Sequence, residues 1–99
     1  MSDMTETQLM HEVYALCDLY SLMYFHSTDA RLDRGKGFPD LVIVGLYRLA
    51  FAELKTDFGQ MSHEQTAWRY RLGAADQTYY LWRPSDLLSG NIEAALRQL

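Results

Sequence analysis

The spacing of apolar residues along the 99-residue chain predicts alternating helices and strands. In residues 5–22, seven apolar side chains fall on one arc when drawn at about 100° per residue, as expected for an amphipathic helix. They are Leu9, Met10, Val13, Leu16, Cys17, Leu19 and Tyr20. Thr5 and Gln8 fit a capping box at the start of this helix, and Glu6 suits the positive end of the helix dipole.

Three short apolar segments follow and are typical of strands: residues 24–27, 41–44 and 49–52. The first of them is expected near the centre of a meander. A Gly-Leu-Tyr-Arg link at residues 45–48 joins the other two and is consistent with a hairpin turn. Antiparallel pairing across this turn would bring the start of one strand beside the end of the next.

The second half of the chain predicts a helix, a strand and a closing helix. Ser62 and Gln65 form a second capping box, which opens a helix of about 11 residues that Gly73 is expected to end early. Residues 78–82 are β-branched and aromatic, so they predict a strand, and a right-handed crossover favours parallel pairing. Residues 91–99 predict a helix whose inward side chains are Ile92, Ala95, Leu96 and Leu99. The expected order is α-β-β-β-α-β-α, an α/β fold in which helices flank a mixed central sheet.

Length and composition narrow the class of protein. Ninety-nine residues with 48% hydrophobic content fit one domain, residues 1–99. The apolar runs are far shorter than the ~20 residues that span a membrane, and the acidic N-terminus is unlike a signal peptide. We therefore expect a cytoplasmic protein, in the host cytoplasm if it is viral, with no membrane partner. Cys17 is expected to be a buried, unreactive thiol, since it lies on the apolar side of the first helix.

The net charge of −4 argues against a nucleic-acid partner, but the charge is unevenly distributed. The first thirty residues contain five acids and no lysine or arginine, whereas the rest of the chain contains all nine basic residues and eight acids. Arg31, Arg34 and Lys36 lie within six residues, directly before Pro39-Asp40. This basic loop predicts contact with the phosphate backbone of a nucleic acid.

Two carboxylates and a lysine are predicted to meet at the hairpin. Strand side chains alternate, so Glu53 and Lys55 project to one side, and antiparallel pairing brings Asp40 close to Glu53. Hard divalent cations such as Mg²⁺ are often bound by one or two carboxylates, with water and substrate phosphate in the remaining positions. The three residues therefore predict metal-assisted phosphodiester hydrolysis, in which Lys55 orients the attacking water and offsets charge in the transition state.

A wider set of motifs surrounds these residues. They are Gly37-Phe38-Pro39-Asp40-Leu41, Phe51-Ala52-Glu53-Leu54-Lys55-Thr56, Ser62-x-x-Gln65-x-x-Trp68 and Trp82-Arg83-Pro84-Ser85-Asp86. Together they resemble the VRR-NUC domain, the virus-type replication and repair nuclease branch of the PD-(D/E)xK superfamily. The resemblance runs from about Glu6 to the C-terminus, and it implies a restriction-endonuclease-like core.

The resemblance also implies an activity and its residues. It implies a structure-selective DNA endonuclease that requires Mg²⁺, with Mn²⁺ able to substitute. Asp40 and Glu53 would bind the metal with the Leu54 carbonyl, and Lys55 and Gln65 would complete the catalytic set. Arg31 would contact phosphate near the substrate. Stand-alone virus-type members resemble Holliday junction resolvases, which implies a homodimer that cuts branched, flapped or junction DNA.

Glu12 is the first-helix acid that we match to an additional metal ligand of this family. It falls inside the apolar arc, where an unpaired carboxylate is costly and is normally paired or bound to metal. A narrower arc would leave Glu12 at the boundary of the core with no such role.

Three other residues remain open between two interpretations each, and the function remains open between three. Gln65 either supports the active site or only caps its helix, and these roles are compatible. His26 is either a phosphate contact or proton shuttle, or a strand-end histidine bonded to its neighbours. Trp68 either packs on the sheet or stacks on a base. The chain is either the nuclease, a catalytically idle DNA-binding subunit, or an interaction protein in which Lys55 only neutralises the acids.

Overall fold

The computed structural model describes residues 3–27 and 34–99, which form eight elements in the order α-β-β-β-α-β-α-α. In chain order they are α1 (Glu6–Leu19), β1 (Met23–His26), β2 (Leu41–Val44), β3 (Leu49–Leu54), α2 (His63–Ala74), β4 (Thr78–Trp82), α3 (Pro84–Leu88) and α4 (Asn91–Leu96). The strands form one sheet in the order β1-β2-β3-β4; β1, β2 and β3 pair antiparallel, and β4 pairs parallel with β3. The predicted α/β fold with a mixed sheet flanked by helices is confirmed.

Helix α1 begins at the predicted capping box. Thr5 accepts a hydrogen bond from the Gln8 backbone, and the Gln8 side chain accepts from the Thr5 backbone. The helix ends at Leu19, earlier than predicted, and Ser21 then adopts a positive φ of 57° in the turn towards β1. The buried stripe of α1 is consequently narrower than the arc drawn from the sequence, and consists of Leu9, Val13 and Cys17. Cys17 is free and buried, as predicted.

The main hydrophobic core lies between one face of the sheet and helices α1 and α4. Its buried members are Leu9, Val13, Cys17, Leu41, Ile43, Ala52, Leu54, Trp82, Ile92 and Leu96. Ile92, Leu96, Ala95 and Leu99 point into or pack against this core, as expected of the closing helix. Among the described residues, no helix is both long and apolar enough to cross a bilayer.

The hairpin that positions the predicted site is present. In the β2–β3 pair, Leu41 faces Ala52 and Val44 faces Leu49, and the Gly45 N–H donates to the Arg48 carbonyl at 2.8 Å. Strand β3 extends beyond Ala52 to Leu54. Glu53, which belongs to this extension, therefore lies within the sheet and not in a connecting loop.

Strand β1 lies at the edge of the sheet, so its predicted central place is wrong. The tight hairpin gives one side of β2 to β3, and β4 takes the other side of β3, which leaves β1 paired with β2 alone. Met23 and Phe25 are 75% and 64% exposed. They point away from the face on which Tyr24 stacks against Tyr14 of α1, with ring centroids 4.6 Å apart.

The second half of the chain differs from the prediction at the end of α2 and directly after β4. Helix α2 continues through Gly73 to Ala74, and Asp76 adopts the left-handed conformation (φ 65°) after it, so Gly73 does not end the helix. Aspartate is one of the few non-glycine residues that tolerates this conformation. The short helix α3 was not predicted, although its first residue, Pro84, is of a type that suits the first position of a helix.

Candidate active site

Asp40 and Glu53 lie side by side where β2 begins and β3 ends. The pairing of Leu41 with Ala52 sets this register, because the two acids are the next residues outward on their strands. Asp40 Oδ2 accepts a hydrogen bond from the Leu54 backbone N–H at 2.8 Å. The two carboxyl groups are close enough for the charge of Asp40 to act on Glu53. The sequence prediction that the hairpin brings these acids together is confirmed.

Lys55 joins the pair from the same side of the sheet. Its Nζ lies 3.7 Å from Glu53 Oε2, and both side chains are largely shielded from solvent. The Lys55 backbone is anchored too, since its N–H donates to the Trp82 carbonyl of β4 at 3.0 Å. The ammonium group is therefore fixed relative to the two acids.

Gln65 of α2 performs both of the roles that the sequence left open. Its Oε1 accepts from the Ser62 backbone N–H at 2.8 Å, and the Ser62 hydroxyl accepts from the Gln65 backbone N–H at 3.1 Å. Its Nε2 donates to Glu53 Oε2 at 2.9 Å. The capping box thus orients the amide so that its N–H groups face the carboxylate.

Glu53 is almost completely buried, with 1% of its surface exposed. Burial raises its pKa from the ordinary 4.5 to about 8; the negative charge of Asp40 adds to the shift, and Lys55 opposes it. Oε2 has Gln65 and Lys55 as neighbours, whereas Oε1 is buried without a hydrogen-bond partner. Such an orphaned oxygen needs a proton or a cation.

The acid pair fits a hard divalent cation. Carboxylate oxygens are the ligands that Mg²⁺ and Mn²⁺ prefer, and one or two carboxylates suffice when water and phosphate complete the shell. Within residues 3–27 and 34–99, no cluster of three or more His, Cys, Asp or Glu side chains has metal-binding geometry. The fit is therefore to an open site built on Asp40 and Glu53. The Leu54 carbonyl stays a predicted ligand, beside the N–H that Asp40 accepts from.

Glu12 does not face this site. Its side chain is exposed, so the prediction that it points to the core is wrong. The buried stripe of α1 is centred near Val13, and at 3.6 residues per turn Glu12 lies about 100° away from that centre. The sequence arc included Leu19, which is exposed because the helix ends there, and this shifted the arc towards Glu12.

Glu6 is an exposed acid of the first helix that lies beside the site, and the sequence did not indicate this place. By the same geometry, Glu6 lies about 20° from the centre of the stripe. It lines a cavity of about 140 Å³ beside Asp40, and its negative charge contributes to the raised pKa of Glu53. The remaining lining residues are Thr7, Met10, His26 and Leu54. The stripe of Leu9, Val13 and Cys17 alone would have identified Glu6.

The structure describes two of the three residues that were predicted to contact DNA. Arg31 lies outside the described residues. Arg34 and Lys36 are exposed, and Lys36 Nζ lies 3.9 Å from Glu64 Oε2 at the start of α2. His26 is exposed at the end of β1, next to the cavity that Asp40 and Glu6 line, so neither interpretation of it is decided.

Trp68 packs on the segment that leads into β2. Its ring meets Phe38 edge to face at 5.0 Å, and Phe38 meets Phe51 of β3 in the same way at 5.9 Å. The indole N–H donates to the Lys36 carbonyl at 3.0 Å. Trp68 therefore reaches the sheet through Phe38, and its N–H has a partner in the chain.

Arg83 is a second residue whose role the sequence did not indicate. Its Nη1 donates to the carbonyl oxygens of Thr56 and Gly59, both at 2.7 Å, and lies 3.3 Å from that of Asp57. Asp57 in turn accepts from the Ser85 backbone N–H at 3.0 Å. These bonds fasten the turn that directly follows Lys55 to the end of β4.

No family model and no curated protein matches the chain. Among solved structures, its fold is similar to that of a protein described as a VRR_NUC domain protein, with a TM-score of 0.64 and 20% sequence identity. The match covers 83% of this chain and 79% of that chain. The chain therefore has the fold of a VRR-NUC domain, and the resemblance suggested by the motifs is confirmed at the level of fold.

Proposed function

We propose that the chain is a divalent-metal-dependent DNA endonuclease whose active centre is formed by Asp40, Glu53 and Lys55. The observation that carries the proposal is the buried Glu53 carboxylate, which has an orphaned Oε1 beside Asp40 and a lysine 3.7 Å from Oε2. Burying Glu53 beside the half-buried Asp40 and Lys55 is costly for stability alone, because the charges lose part of their hydration. Catalysis by a nuclease would explain why the chain nevertheless has this cluster.

Each residue has a specific task in phosphodiester hydrolysis. Asp40 and Glu53 would hold Mg²⁺ or Mn²⁺, with Glu6 and the Leu54 carbonyl beside them. The bound ion would polarise the scissile phosphate and favour ionisation of a coordinated water. Lys55 would orient the attacking water and offset the charge that develops on the phosphate. Gln65 would hold Glu53 Oε2 in place, leaving Oε1 for the ion.

DNA would approach over the basic residues before β2. Arg34 and Lys36 are exposed and precede Asp40 by only a few residues, so charges that attract phosphates lie next to the cutting site in the chain. Arg31 belongs to the same basic run of the sequence. The negative net charge is concentrated elsewhere, in the first thirty residues.

A homodimer that cuts branched or junction DNA is the finer form of this proposal. A four-way junction requires two symmetric cuts, which a two-fold dimer supplies. The uncovered face of β1, β2 and β3 presents a row of exposed cross-strand neighbours, namely Met23, Val44 and Leu49. Exposed apolar rows of this kind are typical of contact surfaces, and we assign the contact between two copies to this row.

Cleavage of two labelled substrates tests the proposal. Purified protein is incubated with a four-way junction and with linear duplex of the same arm sequence, with Mg²⁺, with Mn²⁺ and with chelator. We expect metal-dependent cutting of the junction in preference to the duplex. Equal cutting of both would reject junction selectivity, and cutting that persists in chelator would reject the metal site. A Lys55→Ala variant that behaves like the parent would favour a DNA-binding subunit.

A further inference from the structure

The segment that precedes Asp40 is attached to the first turns of α2 by four contacts. The Trp68 indole N–H donates to the Lys36 carbonyl at 3.0 Å, and Lys36 Nζ lies 3.9 Å from Glu64 Oε2. Phe38 packs edge to face on Trp68. Gly37 has a positive φ of 87°, and its backbone lies directly against Glu64.

Gly37 allows an unusually close approach. A Cβ on Gly37 would lie 2.5 Å from the Glu64 carbonyl carbon and 2.7 Å from the Gln65 backbone nitrogen, too close for any other residue. Its left-handed conformation also favours glycine. The chain before Asp40 is therefore in backbone contact with the same turn of α2 that carries Gln65.

The same turn of α2 also holds the active centre. Gln65 donates to Glu53 Oε2 at 2.9 Å, while the neighbouring Glu64 meets Gly37 and Lys36. One rigid helical turn thus fixes two parts of the molecule at once. The first part is the Glu53 carboxylate. The second is the segment made of Arg34, Gly35, Lys36 and Gly37, which we call the basic turn and in which Arg34 and Lys36 are exposed.

We propose that Trp68 is a positioning residue for DNA, which holds the Lys36 carbonyl so that the basic turn presents its charges to phosphates at a fixed place relative to Glu53. The inference rests on the proposed function, because it takes DNA as the ligand. The indole N–H is a donor that phenylalanine or leucine would lack, so packing on Phe38 does not explain the choice of tryptophan here. The basic turn carries the phosphate contacts, and Trp68 acts only through it.

Trp68→Phe removes the N–H and retains an aromatic ring against Phe38. Binding is measured by fluorescence anisotropy of a labelled junction in chelator, over a series of KCl concentrations, so that no cutting takes place. We expect about threefold to tenfold weaker binding, the usual effect of losing one hydrogen bond. We also expect a shallower dependence of log Kd on log salt, because fewer phosphates are neutralised. Tyr70→Phe, at an exposed position on α2, is the matched control and should change neither the affinity for DNA nor its dependence on salt.

A double-mutant cycle separates positioning from general damage. In an Arg34→Gln, Lys36→Gln background, Trp68→Phe should cause no further loss of binding, since the charges it positions are gone. Replacing Trp68 with benzothienylalanine, which has the same shape and no N–H, repeats the test if phenylalanine packs poorly. Mn²⁺ affinity should stay at the parent value in each Trp68 variant, because Gln65 still contacts Glu53.

Two results would overturn the inference. One is a Trp68→Phe loss of the same size in both backgrounds with an unchanged salt slope, which would mean that Trp68 only stabilises α2. The other is a parent protein that binds no DNA in chelator. Failure of the proposed function looks different: the parent would bind DNA with the predicted Trp68 coupling and yet cut no substrate with Mg²⁺ or Mn²⁺.

Discussion

Gln65 donates a hydrogen bond from Nε2 to Glu53 Oε2 at 2.9 Å. The other end of the same amide accepts from the Ser62 backbone, so a helix cap and an active-site contact share one side chain. Because the cap fixes the amide, the Glu53 carboxylate cannot rotate freely, and Oε1 stays directed away from Gln65. The position of α2 therefore governs the geometry of the acid pair.

Gln65→Ala should cost more than the loss of a helix cap. The chain supplies a matched control, since Gln8 makes the same capping box with Thr5 in α1 but has no second hydrogen-bond partner among the described residues. We expect Gln65→Ala to lower the free energy of unfolding by about 1 kcal/mol more than Gln8→Ala, and to reduce metal-dependent cleavage, which Gln8→Ala leaves intact. Urea unfolding and cleavage assays measure both. Equal effects of the two variants would reduce Gln65 to a cap.

Glu6→Gln and Glu12→Gln should behave differently although both remove one charge from α1. Both side chains are exposed, but Glu6 lines the cavity beside Asp40, whereas Glu12 lies on another face of the helix. We expect Glu6→Gln to weaken Mn²⁺ binding about fivefold, the effect of losing a charge worth about 1 kcal/mol at the site. Glu12→Gln should leave it unchanged. A stronger effect of Glu12→Gln in calorimetry would restore the ligand role first given to that residue.

The stability of the metal-free protein should fall as pH rises from 4.5 to 8. Burial raises the pKa of Glu53 to about 8, so the folded state holds a proton that the unfolded state releases near 4.5. Stability from this proton is fully present below 4.5 and is lost as pH passes through the folded value. Urea midpoints measured in chelator should show this fall. Glu53→Gln, which cannot titrate, should show a flatter profile, and identical profiles would mean that Glu53 is already ionised.

Arg83→Met should loosen the turn after Lys55. The guanidinium donates to the carbonyl oxygens of Thr56 and Gly59, which would lose their donor. We expect a loss of about 1–3 kcal/mol in the free energy of unfolding and a lower kcat, with Arg83→Lys restoring little because it lacks the planar fork. Arg48→Met, at an exposed position of the β2–β3 hairpin, is the control. An Arg83→Met enzyme with parental kcat would separate this turn from catalysis.

The sequence was sufficient to predict the acid pair because the hairpin is a local structure. A four-residue link and period-two alternation fix the register between Asp40 and Glu53, and Lys55 follows two residues later. The two capping boxes were also predictable, since each involves residues only three apart. Strand β4 was placed correctly with its parallel partner.

Errors arose where the outcome depends on distant parts of the chain. Strand β1 lies at the edge because β3 pairs with β2 on one side and with β4 on the other. The sequence of one strand does not show which strands will pair with it. The predicted apolar arc included Glu12 because it included Leu19, which is exposed where the helix ends. The Arg83 bonds to residues 56–59 join positions more than twenty residues apart, and a motif alone does not show them.

The central claim is that Asp40 and Glu53 form a cation site, and calorimetric titration of Mn²⁺ into the metal-free protein tests it most directly. We predict saturable binding to the parent protein that is abolished in Asp40→Asn and Glu53→Gln, with Glu12→Gln as the unaffected control. Binding that is absent from the parent, or that survives both substitutions, would contradict the claim. In that case Lys55 would simply neutralise a structural pair of acids.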